Sequence, residues 1–265
     1  MANNVMFAPR TARLVSEGAS KWGDVYPAWQ PYADECERLL TFVDGHGQLS
    51  RFWPRLVGRP QQRDEALNEM RVAYFFEQSG FPIIGWEVVD ALPYNVEFEI
   101  STGGGKTAYV EVKSPGWESE LSEAEIKAGR ARQDKYDDKA RAVGPEEVVR
   151  RTVKKAMPKF TGKVPSLIVI SDDCFVNIGT WGTGPVTMAL TEQSATYGPG
   201  VFRDPAYATV GGVCLFWMRR VAEGELVFAS VCVTNPRALP TAVLPDELEA
   251  VFGHIMGDQP ALVVH

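Results

Sequence analysis

The sequence predicts an α/β fold with an αβββαβ core. Three observations predict it. Apolar residues recur at three- and four-residue spacing through 64–79, three alternating β-rich segments follow in succession, and a charged helical region leads into the apolar run SLIVIS at 166–171. A helical or irregular N-terminal subregion (1–62) is expected before the core (63–175), and a C-terminal part (176–265) carrying a β-hairpin extension after it.

Within 1–62, Trp22, Trp29, Trp53 and several prolines surround one helical stretch near 32–43. The helix DEALNEMRVAYFFEQS places Leu67, Met70 and Tyr74 on one stripe. Its acids stand in the first turn and Gly80 ends it. IIGWEVV (83–89), NVEFEI (95–100) and TAYVEVK (107–113) read as strands. The charged region 121–160 reads as mostly helical. Its clearest part is PEEVVRRTVKKAM, with Pro145 at the first position, acids in the first turn and lysines in the last. Residues 176–200, rich in Gly, Thr and Ser, read as a long loop. GVCLFWMRR and ELVFASVCVT read as a hairpin, and PDELEAVFGHIM as a short closing helix.

Composition excludes several classes. The chain has 265 residues, 45% of them hydrophobic, enough for a sizeable core. A net charge of −7 argues against binding polyanions by overall charge but permits a locally basic groove. Cys36, Cys174, Cys214 and Cys232 form no Cys-x-x-Cys pair and read as buried thiols of a cytoplasmic protein. His46, His254 and His265 lie too far apart in sequence to suggest a metal or triad motif. No segment reads as a signal peptide or membrane span.

The stretch STGGGKTAYVEVKSP (101–115) contains GGGKT, the ending of a phosphate-binding loop. The pattern fails twice. Ile100 stands where the first glycine belongs, and the residues after Lys106 alternate as a strand rather than opening a helix. No nucleoside triphosphate is expected here. Gly103–Gly105 read instead as a turn between antiparallel strands, where positive φ is needed.

Alternation assigns the faces of that hairpin. Val96, Phe98 and Ile100 share one side of the first strand, as Ala108, Val110 and Val112 do on the second. Glu97, Glu99, Glu111 and Lys113 then share the other side. If Thr107 pairs with Ser101, Glu97 lies across from Glu111. Two facing carboxylates call for a cation between them, supplied by a lysine or a hard divalent metal. Glu69 falls on or beside the buried stripe of helix 64–79 and needs a partner of its own, with Arg71 or an N-terminal arginine as candidates.

A helix acid, a strand acid and then Glu-x-Lys within αβββαβ resemble the PD-(D/E)xK nuclease superfamily, over about residues 64–171. NVEFEI followed by YVEVKSP is similar to that family's two catalytic strands. The resemblance implies a restriction-endonuclease-like fold with a mixed central sheet and an Mg²⁺- or Mn²⁺-dependent nuclease. Glu97 would be the first metal-binding acid, Glu111 the second, Lys113 the catalytic lysine, and Glu69 the additional helix acid. Val112 would lend its carbonyl to the metal. The family usually has aspartate where Glu97 stands, and Glu99 is an alternative first acid on the same face. The resemblance also implies that Lys113 orients the attacking water or offsets charge on phosphorus.

Between Lys127 and Lys163, twelve Lys and Arg face five Asp and Glu, so the remainder of the chain carries −14. This asymmetry suits contact with a phosphate backbone, with Lys127, Arg130, Arg132, Gln133, Lys154 and Lys155 as candidates; solvated helix faces are the alternative. Gln133 or Lys154 could reach the active site, as a Gln or Lys does in many such nucleases. The expected partner is DNA, in restriction or foreign-DNA defence. A catalytically inactive binding or assembly protein on the same scaffold is the alternative. The C-terminal hairpin is either a homodimer or partner surface, or two further strands of the sheet.

Overall fold

A computed structural model describes residues 5–22, 30–114, 145–172, 184–220, 226–256, 259–260 and 263–264. The protein is a mixed α/β structure. Four helices open it: α1 (Pro9–Trp22), α2 (Gln30–Gly45), α3 (Leu49–Leu56) and α4 (Pro60–Gln78). Strands β1 (Ile83–Ala91), β2 (Tyr94–Gly103) and β3 (Lys106–Lys113) follow, then α5 (Pro145–Ala156) with a 3-10 turn at Met157–Lys159, and β4 (Ser166–Asp172). Among the described residues the order from α4 to β4 is αβββαβ. After it come α6 (Gly184–Leu190), a two-residue pair β5 (Gln193–Ser194) and β6 (Gly198–Pro199), then β7 (Gly212–Arg220) and β8 (Leu226–Thr234). A four-residue helix, α7 (Asp246–Glu249), and the short strands β9 (Gly253–Met256), β10 (Gln259–Pro260) and β11 (Val263–Val264) close the described chain.

The central sheet runs β1-β2-β3-β4-β7-β8, extended by the short strands β9 and β10, with β11 also pairing with β8. It is mixed. β1, β2 and β3 are antiparallel neighbours, β3–β4 and β4–β7 are parallel, and β7–β8 is antiparallel. Ser101 pairs with Thr107, one of the registers alternation allows, and Gly103, Gly104 and Gly105 turn the chain at φ of 85°, 57° and 76°. Only glycine takes that path without strain. The residues after Lys106 form a strand, as the failed phosphate-loop pattern predicts.

Each face of the sheet is covered. On one side Phe98, Ile100, Val110, Val112, Leu167 and Val169 pack with Val72, Phe75 and Phe76 of α4. On the other, Ile168, Ile170, Val213 and Leu215 pack with Val149 and Val153 of α5 and Ala189 and Leu190 of α6. A third cluster joins α1–α4 through Leu14, Leu40, Phe52 and Leu67. Burying each such side chain contributes about 1.5–3 kcal/mol.

Several elements differ from expectation. α1 and α3 are regular helices where only one helix was legible, and α4 begins at Pro60 rather than Asp64. Residues 184–190 are a helix, not loop: Val186, Ala189 and Leu190 bury a short stripe against the core. The expected closing helix stops at Glu249, and Gly253–Met256 instead adds a strand beside β8. β7 and β8 do form the hairpin, and both are paired on either side within the chain, which makes them sheet strands with no free edge along their paired lengths. Cys36, Cys214 and Cys232 are buried free thiols. Cys174, Lys127, Arg130, Arg132 and Gln133 lie outside the described residues. No described helix is long and apolar enough to cross a membrane.

Candidate active site

β2 and β3 pair as far as Phe98–Val110 and then part. Beyond that point β2 continues against β1, with Val96 opposite Val88, while β3 continues against β4, with Glu111 opposite Ile168 and Lys113 opposite Ile170. Glu97 and Glu111 are the first residues past the fork, near the carboxyl end of β3, where ligands of α/β sheets commonly bind. The parting opens the fork to helices from both layers. α3 and α4 supply Arg51, Arg55 and Glu69, and the turn after α5 supplies Lys159.

Glu111 is fully buried. Its Oε1 meets the ammonium of Lys113, two residues along the same face, and that of Lys159 at 2.6 Å. Its Oε2 is buried and accepts no hydrogen bond. Burial raises the Glu111 pKa, with Glu97 adding to the effect and Lys113 and Lys159 opposing it. For Lys113, burial favours the neutral amine, but the charge and hydrogen bond of Glu111 outweigh it and hold the pKa above the usual lysine value.

Glu97 is held from two sides. Arg51 donates to its Oε2 at 2.8 Å, and Lys159 Nζ stands 3.7 Å from its Oε1. The same Arg51 lies 3.5 Å from Glu69 Oε2, with its guanidinium over the rings of Phe52 and Trp86. Arg55, one turn further along α3, grips Glu69 with two hydrogen bonds of 2.6 and 2.7 Å. Burial, reinforced by Glu97, pushes the Glu69 carboxyl up to about 7 against the pull of Arg55 and Arg51. Burial works against the Arg55 charge, yet Glu69 holds its pKa above the ordinary value.

Thus Glu69, Glu97, Glu111 and Lys113 come together. Glu99 does not join them, for it pairs with Tyr109 and Gly85 in the closed part of the sheet. Val112 points its side chain into the α4-side core, leaving its backbone between Glu111 and Lys113. The partner of Glu69 is an N-terminal arginine. Arg71 instead binds Glu35 at 2.7 and 3.0 Å, with Asn68 and Tyr32. Lys154 and Lys155 are exposed on α5 and make none of the contacts to the acids.

Lys159, Arg51 and Arg55 were not singled out by the sequence. The signal for Lys159 was Pro158, which ends α-helical geometry and re-aims the next side chain through a 3-10 turn. For the arginines it was their four-residue spacing, which puts both on one face of α3.

The donor set suits a hard divalent cation. Two carboxylates, one with a buried oxygen that no donor satisfies, and the carbonyl of Val112 next to Glu111 on β3 are oxygen ligands of the kind Mg²⁺ takes while keeping several waters. Among the described residues no three His, Cys, Asp or Glu side chains form a ready cage, and both oxygens of Glu69 accept from Arg55. Comparison with protein-family models, with curated proteins and with solved structures finds no match to the chain.

Proposed function

We propose that the chain is a metal-dependent nuclease of the PD-(D/E)xK type, on a restriction-endonuclease-like core, hydrolysing phosphodiester bonds of DNA in restriction or foreign-DNA defence. The observation that carries this reading is the convergence of Glu97, Glu111 and Lys113 where β2 and β3 part, with Glu111 Oε2 buried and without a donor. The αβββαβ order and the acid on α4 support it.

Glu97, Glu111 and the Val112 carbonyl would hold Mg²⁺ or Mn²⁺. Bound there, the ion would polarise a phosphoryl oxygen and lower the pKa of a bound water. Lys113, kept charged by Glu111, is placed to orient the attacking water or offset charge developing on phosphorus. Arg51 bridges Glu69 to Glu97 and sets the direction of the first acid. Lys154 and Lys155, exposed on the element that leads to Lys159, are available to the phosphate backbone.

One observation favours a second reading, a non-catalytic binding or assembly protein: four cations already neutralise the three acids. Plasmid cleavage decides between them. The nuclease cuts with Mn²⁺ and not without it, and Lys113→Ala loses the activity while staying folded. A parent protein that cuts nothing with either metal sustains the second reading.

A further inference from the structure

We infer that Lys159 is a working residue of this site. In the ion-free protein its ammonium holds the place a divalent cation takes between Glu97 and Glu111, and it withdraws when the cation binds. The inference rests on the metal-dependent reading above.

Geometry carries it. Lys159 Nζ lies 2.6 Å from Glu111 Oε1 and 3.7 Å from Glu97 Oε1, so one ammonium spans the two acids. An ammonium and a divalent ion at hydrogen-bond distance from the same oxygens repel each other, so both cannot occupy the gap. The ammonium is also an incomplete occupant, since Glu111 Oε2 accepts no bond from it, whereas an ion with its coordinated waters can serve both oxygens.

Lys159 spans both acids, whereas the ion pair of Lys113 is with Glu111. Lys113 belongs to β3, paired with Ile170, on the same strand as Glu111. Lys159 sits on a 3-10 turn, in a segment remote from β3 in sequence, so it can leave the acids without disturbing the strand that carries Glu111. The backbone just beyond it is pinned, because Thr161 donates from its N–H and its hydroxyl to Asp90 at 2.6 and 2.7 Å. The flexible four-carbon stem can therefore swing alone, and the released ammonium is next to the site, free to meet a phosphate.

Mn²⁺ binding to the full-length protein, followed by loss of the free-ion electron paramagnetic resonance signal without nucleic acid, tests this. Lys159→Met is expected to bind Mn²⁺ on the order of tenfold more tightly than the parent. Lys159→Gln should do the same, which guards against a folding defect in either variant, and Glu111→Gln should abolish binding in both backgrounds. If parent and both Lys159 variants bind Mn²⁺ equally, displacement is wrong while the nuclease reading stands. If none of them binds Mn²⁺, the metal-dependent reading fails and the inference falls with it.

Discussion

The Arg55 guanidinium holds the Glu69 carboxylate through two hydrogen bonds of 2.6 and 2.7 Å, across the interface between α3 and α4. The pair ties the N-terminal helices to the acid cluster, and Arg51 carries the connection on to Glu97. Removing Arg55 leaves a buried carboxylate facing only the more distant guanidinium of Arg51, 3.5 Å away. Above pH 7, Arg55→Met should destabilise the protein by about 2 kcal/mol, less than a fully buried pair costs because Arg55 is part-exposed. Urea denaturation measures it, and adding Glu69→Gln should recover much of the loss.

Glu69 also predicts a pH dependence. Its carboxyl titrates at about 7 in the fold against an ordinary value of 4.5. Between those values the folded protein keeps a proton that the unfolded chain has released. The stability associated with this group is therefore fully present below 4.5 and is lost as pH rises through 7, amounting to about 3 kcal/mol. Glu69→Gln lacks the titration. The parent should lose stability relative to Glu69→Gln by that amount as pH rises over this range, with metal absent. A difference that does not change with pH would contradict the assignment.

Glu111→Gln separates activity from stability. Burial disfavours the Glu111 charge, so the neutral isostere should leave the metal-free protein at least as stable as the parent. Cleavage with Mn²⁺ should fall at least about 100-fold, the scale of losing one electrostatic contact to a transition state. Thermal denaturation and plasmid nicking, run on the same preparation, read the two effects.

On the proposed function, chelation should abolish cleavage without unfolding the protein. Arg51, Arg55, Lys113 and Lys159 pair all three acids in the ion-free state. EDTA should therefore abolish cleavage and shift the melting temperature little, unlike a protein whose fold depends on its metal.

At the bend between β2 and β3, Gly103→Ala should cost about 1 kcal/mol, since φ is +85° and the position has open space around it. The loss is one of backbone strain, so it should appear in chemical denaturation without changing Mn²⁺ binding.

Much of the core was legible along the chain because its signals are local. Alternation in NVEFEI and TAYVEVK, with three glycines between, limits the pairing to alternate registers, and the one adopted buries Phe98, Ile100, Ala108 and Val110 together on the α4 side and brings Glu97 toward Glu111; Val96, expected on that same face, instead joins the α5-side cluster where β2 has parted from β3. The same periodicity argument placed Glu69 near a buried stripe and required a partner for it. Short elements escaped: α6 and β9 are held by the surfaces they pack on, and seven or four residues carry too little pattern to be read alone.

By itself the sequence determined the hairpin and the faces of its paired part, and narrowed its register to alternate choices, since backbone alternation and glycine turns act over a few residues. Only the tertiary structure decided which cations meet the acids. Arg51, Arg55 and Lys159 come from segments far from β2 and β3 in the chain, and charge pairing depends on distance in space, which only the packing of α3, α4 and the turn after α5 around the fork defines.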